Sequence, residues 1–119
     1  MQIFNHPFIE CRKFYEIKTL EDIKKTPSNS VLLSDFDKKI ITYCKTQNLV
    51  FGVRIASVKE LVLAAASNAS YLLVNKDFAK TAQQIADEYM YDAKILLISD
   101  DEEDIEFCAL NGIDGIFFT

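Results

Sequence analysis

Tyr71-Leu72-Leu73-Val74, then Asn75 to Ala93, then Ile95-Leu96-Leu97-Ile98 is the stretch that decides the fold. The two flanking tetrapeptides are apolar at every position, without the alternation of a strand that has one wet face. Continuous apolar runs of this length read as strands covered on both sides, the habit of parallel sheets. Between them Phe78, Ala82, Ile85, Ala86 and Tyr89 recur at i, i+4, i+7, i+8 and i+11, one stripe of a helix. The stretch is therefore a strand, a helix and a second strand, and a parallel pair needs such a crossover.

The same unit recurs outward in both directions. Val31-Leu32-Leu33, Val50 to Ile55 and Ile116-Phe117-Phe118 are further apolar runs, and Phe14-Tyr15-Glu16-Ile17 is a weaker one whose Glu16 suggests a sheet edge. The run starts at 31, 50, 71, 95 and 116 are separated by 19, 21, 24 and 21 residues, one strand, loop and helix per step. Ile40, Ile41 and Cys44 mark one intervening helix, and Ile105, Cys108 and Ala109 another. Val58 to Asn68 is apolar almost all round, which predicts a helix covered on more than one side. Thr19, Ser57, Asp77 and Asp100 are expected as helix caps, with Glu60 completing a capping box for Ser57. Asn48 and Asn111-Gly112 are expected helix stops, because both residue types tolerate the left-handed conformation.

Alternating strands and helices predict an α/β fold with a mainly parallel sheet of five or six strands. The leading expectation is an open three-layer (αβα) sandwich, Rossmann-like and doubly wound. The alternative is half of a (β/α) barrel, since a closed eight-unit barrel takes about 250 residues and this chain has 119. One domain over residues 1–119 is expected, with residues 1–13 as an irregular N-terminal arm.

Composition narrows the function classes. Half of the residues are hydrophobic and 26% are charged, an ordinary globular balance. The net charge of −5, with no basic cluster larger than Lys24-Lys25 or Lys38-Lys39, argues against nucleic acid as a partner. Cys11, Cys44 and Cys108 are odd in number and widely spaced, so buried reduced thiols are expected rather than disulfides or a zinc site. No apolar run approaches the roughly 20 residues that span a bilayer, and the opening residues do not read as a signal peptide. A cytoplasmic protein without a membrane partner is the expectation. The single histidine, His6, leaves no ready catalytic triad, and no Gly-rich phosphate loop is present.

Ligands of open parallel sheets bind beyond the carboxyl ends of the strands. That rule selects Ser34, Asp35 and Asp37; Arg54 and Ser57; Asn75, Lys76 and Asp77; Ser99, Asp100 and Asp101; and Thr119. Helix capping alone accounts for several of them, so caps and ligands stay as competing readings.

Val31-Leu32-Leu33-Ser34-Asp35-Phe36-Asp37 resembles the first motif of the haloacid dehalogenase-like hydrolases, an apolar strand ending in Asp-x-Asp. The resemblance extends through Val53 to Ser57, Lys76 and the Asp100-Asp101 pair, over about residues 31 to 119. It implies a magnesium-dependent phosphatase or phosphotransferase with Asp35 as nucleophile and Asp37 as general acid and base. Arg54, Ser57 and Lys76 would then hold phosphate, and Asp35, Asp100 and Asp101 would hold magnesium. The family's Gly-Thr and flap after the second Asp are replaced here by Lys38-Lys39-Ile40. Residues 50 to 119, with Gly112-Ile113-Asp114-Gly115-Ile116, also resemble successive units of TIM barrels, which implies a fold and a phosphate-like anion at a helix N-terminus. The leading expectation is a module that binds a partner or itself, a homodimer included, with no cofactor; magnesium belongs to the hydrolase alternative only.

Overall fold

The computed structural model describes residues 1–119. The elements run β1 (Gln2–Phe4), β2 (Phe14–Glu16), α1 (Leu20–Lys24), β3 (Val31–Ser34), α2 (Lys38–Thr46), β4 (Phe51–Arg54), α3 (Val58–Ala66), β5 (Tyr71–Val74), α4 (Lys76–Glu88), β6 (Lys94–Ser99), α5 (Asp104–Asn111) and β7 (Gly115–Phe118). The strands form one sheet in the order β1-β7-β6-β5-β4-β3-β2. Every neighbouring pair is parallel.

The fold is α/β, and from β2 to β7 the strand order follows the sequence without reversal. Right-handed crossovers that always step the same way put every helix on one face. The doubly wound three-layer sandwich needs a reversal and does not form; the sheet instead curls into a half-barrel. It has seven strands rather than five or six. Phe14–Glu16 supplies the expected edge, and Gln2–Phe4 is a strand inside the segment expected to be an irregular arm. Gly115 makes room for that strand, because a Cβ there would lie 2.5 Å from the Gln2 carbonyl oxygen.

Alternate residues of each strand serve two separate cores, the period-two consequence of the pleat. Leu32, Val53, Leu72, Val74, Ile95, Leu97 and Ile116 pack with helix residues such as Ile41, Cys44, Leu61, Ala82 and Cys108. Their neighbours Phe4, Leu33, Leu73, Leu96 and Phe117 form a second cluster with Phe14, Tyr71 and Ile98, and no helix residue joins it. The concave side is therefore filled by strand side chains alone.

Helix ends follow one repeated device. Asn48, Asn68, Met90 and Gly112 have φ of 55°, 66°, 54° and 64° just past the last turns of α2, α3, α4 and α5. The next N–H in each case returns to a carbonyl five residues back: Leu49 to Cys44, Ala69 to Ala64, Tyr91 to Ala86 and Ile113 to Cys108. These are Schellman closures, each followed by an apolar residue that re-enters the core.

Helix starts differ more from expectation. Thr19 forms a full capping box with Asp22, and Ser57 accepts the Glu60 N–H. Asp77 lies inside the first turn of α4, whose N-cap is Asn75. Asp100 does not cap α5: Ser99 Oγ takes the Asp101 N–H and Asp101 takes the Glu103 N–H, so a turn intervenes before Asp104. The all-round covering expected of α3 is also absent, since Val58, Val62 and Leu63 are 45%, 43% and 46% exposed.

Candidate functional site

The carboxyl ends of the parallel strands share one rim of the half-barrel. A cleft of about 350 Å³ opens there over Leu73 and Ile98, walled by Phe36, Ile55 and Arg54 and bordered by Asp35, Glu60 and Asn75. A larger hollow of about 620 Å³ lies at the opposite end of the strands, around Ser70, Tyr71, Met90 and Lys94. The first has the location and the mixed lining that parallel sheets give to ligands.

Arg54, at the end of β4, crosses β3 to the sheet edge at β2. It donates from Nη1 to Glu16 Oε2 at 2.9 Å and pairs through Nη2 with Glu16 Oε1. Nη1 also reaches Asp35 Oδ1 at 3.1 Å. The Glu16 hydrogen bond, chiefly, pushes the guanidinium pKa further up. A guanidinium so engaged by two carboxylates offers little positive field to an anion. Asp35 is thus brought to Arg54 as expected of neighbouring strand ends, but as its ion-pair partner.

Asp37 turns toward its own helix. Its Oδ1 accepts the Lys39 N–H at 2.9 Å and the Ile40 N–H at 3.1 Å. The chain enters α2 directly at Lys38. Ser57 is likewise the N-cap of α3, while Glu60 reaches back to the Ala56 N–H at 2.9 Å.

A second polar group spans the start of α4, the end of β6 and the start of α5. Lys76 Nζ donates to Asp104 Oδ1 at 2.9 Å, and Ser99 Oγ donates to Asp104 Oδ2 at 2.7 Å. Lys76 holds the Asp104 carboxyl below its usual range, with Ser99 helping. Asp104 in turn keeps the Lys76 ammonium charged above its usual range. An amine held protonated is a poor nucleophile. Lys76 also lies 4.9 Å from the Phe107 ring centroid, a cation–π contact.

Asp100 borders a third recess with Asn5, His6 and Phe8, where His6 Nε2 meets Glu102 Oε1 at 3.1 Å. β3 and β6 have two strands between them. No group of three or more His, Cys, Asp or Glu residues is gathered that could hold a metal ion, so Asp35, Asp100 and Asp101 do not converge as a triad. Burial pushes the Cys44 and Cys108 thiols up to about 11, which leaves them inert at neutral pH. Glu16, Asp104 and His6 are the rim residues that strand-end reasoning passed over. Glu16 gave a signal as the one acid in an apolar run; Asp104 looked like an ordinary first-turn helix acid.

No helix is long and apolar enough to cross a membrane. No protein-family model matches the chain, and no curated protein matches it significantly.

Proposed function

We propose that this chain is a non-catalytic binding module that acts by association through the outward face of α3. The observation that carries the reading is the exposure of Val58, Val62 and Leu63 on a helix with only Lys59 and Glu60 as charges. Contiguous apolar surface of this kind on a folded domain marks an interaction site more often than chance. A groove of about 300 Å³ between α2 and α3, lined by Phe36, Lys38, Ile41, Thr42, Leu63 and Ser67, adjoins that face.

The rim chemistry supports the same side of the choice. Asp37 and Ser57 are occupied as caps, and Arg54 and Lys76 are occupied by carboxylates. Each polar group proposed for phosphate chemistry already has a structural partner in the fold. The test is sedimentation velocity over a wide concentration range. Reversible association is expected in the unaltered chain and loss of it in Val62→Lys and Leu63→Lys with unchanged far-UV circular dichroism. Reversible, concentration-dependent association that survives both substitutions would overturn the reading. So would magnesium-dependent hydrolysis of a phosphomonoester that Asp35→Asn abolishes.

A further inference from the structure

We infer that β1 is an exchangeable strand, and that the β7 edge is a docking site for Gln2–Phe4 of a second copy of this chain. Three features of the fold lead there. The seat for β1 is specific, its tether is loose, and the seat left empty would expose a sheet edge.

The seat is specific because it is shaped for this segment. Gln2, Ile3 and Phe4 pair in register with Gly115, Ile116 and Phe117. The Gln2 carbonyl sits where a Gly115 side chain would begin. Phe4 is buried, with its ring 4.9 Å from Phe14 and 5.5 Å from Tyr71, centroid to centroid. An extended segment without an aromatic ring at its third position would leave that socket unfilled.

The tether is loose because it contributes nothing to either core. Of Asn5 to Lys13 only His6 is even half-buried; Phe8 is 88% exposed. Asn5 takes a left-handed φ of 65°, a conformation an extended hinge would release. The contacts that clasp the tether to the rest of the chain are few: Asn5 Nδ2 to the Phe118 carbonyl, His6 to Glu102 and to the Phe118 ring, and, at the far end, Arg12 to the Asn29 carbonyl and the Val31 N–H to the Lys13 carbonyl. The rest of the chain makes its own sheet from β2 to β7, so β1 leaves without unpicking another strand. Local openings of this kind cost far less than global unfolding.

With β1 away, β7 presents unpaired backbone groups and an uncovered Phe117, a template for another strand. The segment that restores every one of these contacts is β1 of a second copy. Exchange in both directions gives a closed, two-fold dimer whose new contacts are the old ones made between chains. This association is independent of the α3 face: it passes through an opened state, so it is slow and outlasts dilution, whereas docking through α3 is reversible.

The experiment unfolds and refolds the unaltered chain at low and high protein concentration and weighs the product by light scattering. A species of twice the chain's mass is expected, its share rising several-fold with refolding concentration and persisting after dilution. In a Cys11→Ser background, an Ile3→Cys chain and an Ile116→Cys chain are then refolded together. An inter-chain disulfide is expected from the mixture, and none when the two are refolded apart and mixed. Monomer at every refolding concentration overturns the inference. In chains that also carry Val62→Lys and Leu63→Lys, which removes association through α3, a dimer that falls apart on dilution, or one that gives no disulfide between the Ile3→Cys and Ile116→Cys variants, overturns it equally.

Discussion

Phe4 and Phe14 touch, ring centroids 4.9 Å apart and edge to face, although they belong to the two opposite edge strands of a seven-stranded sheet. In a flat sheet, six strand spacings of about 4.8 Å would hold them nearly 30 Å apart. Following paired residues sideways from Glu16 leads through Leu33, Gly52 and Tyr71 to Lys94 on β6. Phe4 is level with Phe117 and Ile98, four residues further along β6, and Phe14 lies a further two behind Glu16. The meeting rings are thus offset by six residues along the ladder, the stagger of tilted strands wrapping toward a barrel. The contact closes the concave core where hydrogen bonds do not.

Phe4→Ala should therefore cost about 3 kcal/mol, the lower end of the usual range for a buried Phe. A three-residue edge strand detaches rather than holding open a cavity, which keeps the loss from growing. Phe14→Ala should cost less, because Phe14 is only half-buried. In urea unfolding the double variant should lose about 1 kcal/mol less than the two single losses combined, since each single change already breaks the shared edge-to-face contact. Strict additivity would mean that the edges do not hold one another.

Six of the seven strands were legible in the sequence: Val31–Ser34, Phe51–Arg54, Tyr71–Val74, Lys94–Ser99 and Gly115–Phe118 because their runs lack alternation, and Phe14–Glu16 as a weaker run whose acid marks the edge. The order of those strands was not. The same strand–helix repeat suits a sheet that reverses and one that does not, and the direction of a crossover leaves no periodic trace. Gln2–Phe4 was hidden because three residues are too few to show a period. Its evidence lies 113 residues away, in the missing side chain of Gly115. At the rim, the strand ends were readable but their partners were not. Arg54 bonds Glu16 across 38 residues, and Lys76 bonds Asp104 across 28, pairings that only the curled sheet creates. Asp37 and Ser57 carried two readings, and their hydrogen bonds are those of caps.

Met90 occupies the left-handed position that Asn48, Asn68 and Gly112 fill at the other helix ends. A methionine with φ of 54° carries a Cβ penalty of roughly 1 kcal/mol that glycine avoids. Its side chain is 84% exposed, so little packing is lost on removing it. Met90→Gly should raise stability by about 0.5–1 kcal/mol, read as a higher urea midpoint with an unchanged slope. An equal loss would show that the exposed thioether, not the backbone, decides this position.

Asp104 links pH to stability with a definite sign. Its carboxyl pKa is lower in the folded chain, through Lys76 first and then Ser99, so folding favours the ionised form. That contribution is complete at pH values above the ordinary carboxylate range near 4 and fades as pH falls through the lowered value. Lys76 remains 56% exposed, so solvent screens the pair and its contribution is small. Asp104→Asn should be less stable than the unaltered chain at pH 7, with the gap closing as pH falls through and below the ordinary carboxylate range. Asp22, lowered by the Lys18 and Thr19 N–H groups, leaves some acid sensitivity in the variant as well. A gap that is constant with pH would remove charge from the account of this pair.

Gln83 should prove the costliest polar side chain to lose. It is 3% exposed on α4, and its Oε1 accepts the Asp114 N–H at 2.9 Å while Nε2 donates to Asp87 Oδ1 at 2.9 Å. Asp114 Oδ2 in turn accepts the Ile95 N–H at 3.0 Å, so Gln83 fixes the loop that feeds β7 against the start of β6. Gln83→Leu keeps most of the volume and leaves the Asp114 N–H without its partner, a loss of about 1–3 kcal/mol. Because β7 carries β1, hydrogen exchange should quicken at Gln2 to Phe4 as well as at Asp114. Protection that drops at Asp114 alone would show that this loop does not hold β7 and β1 together.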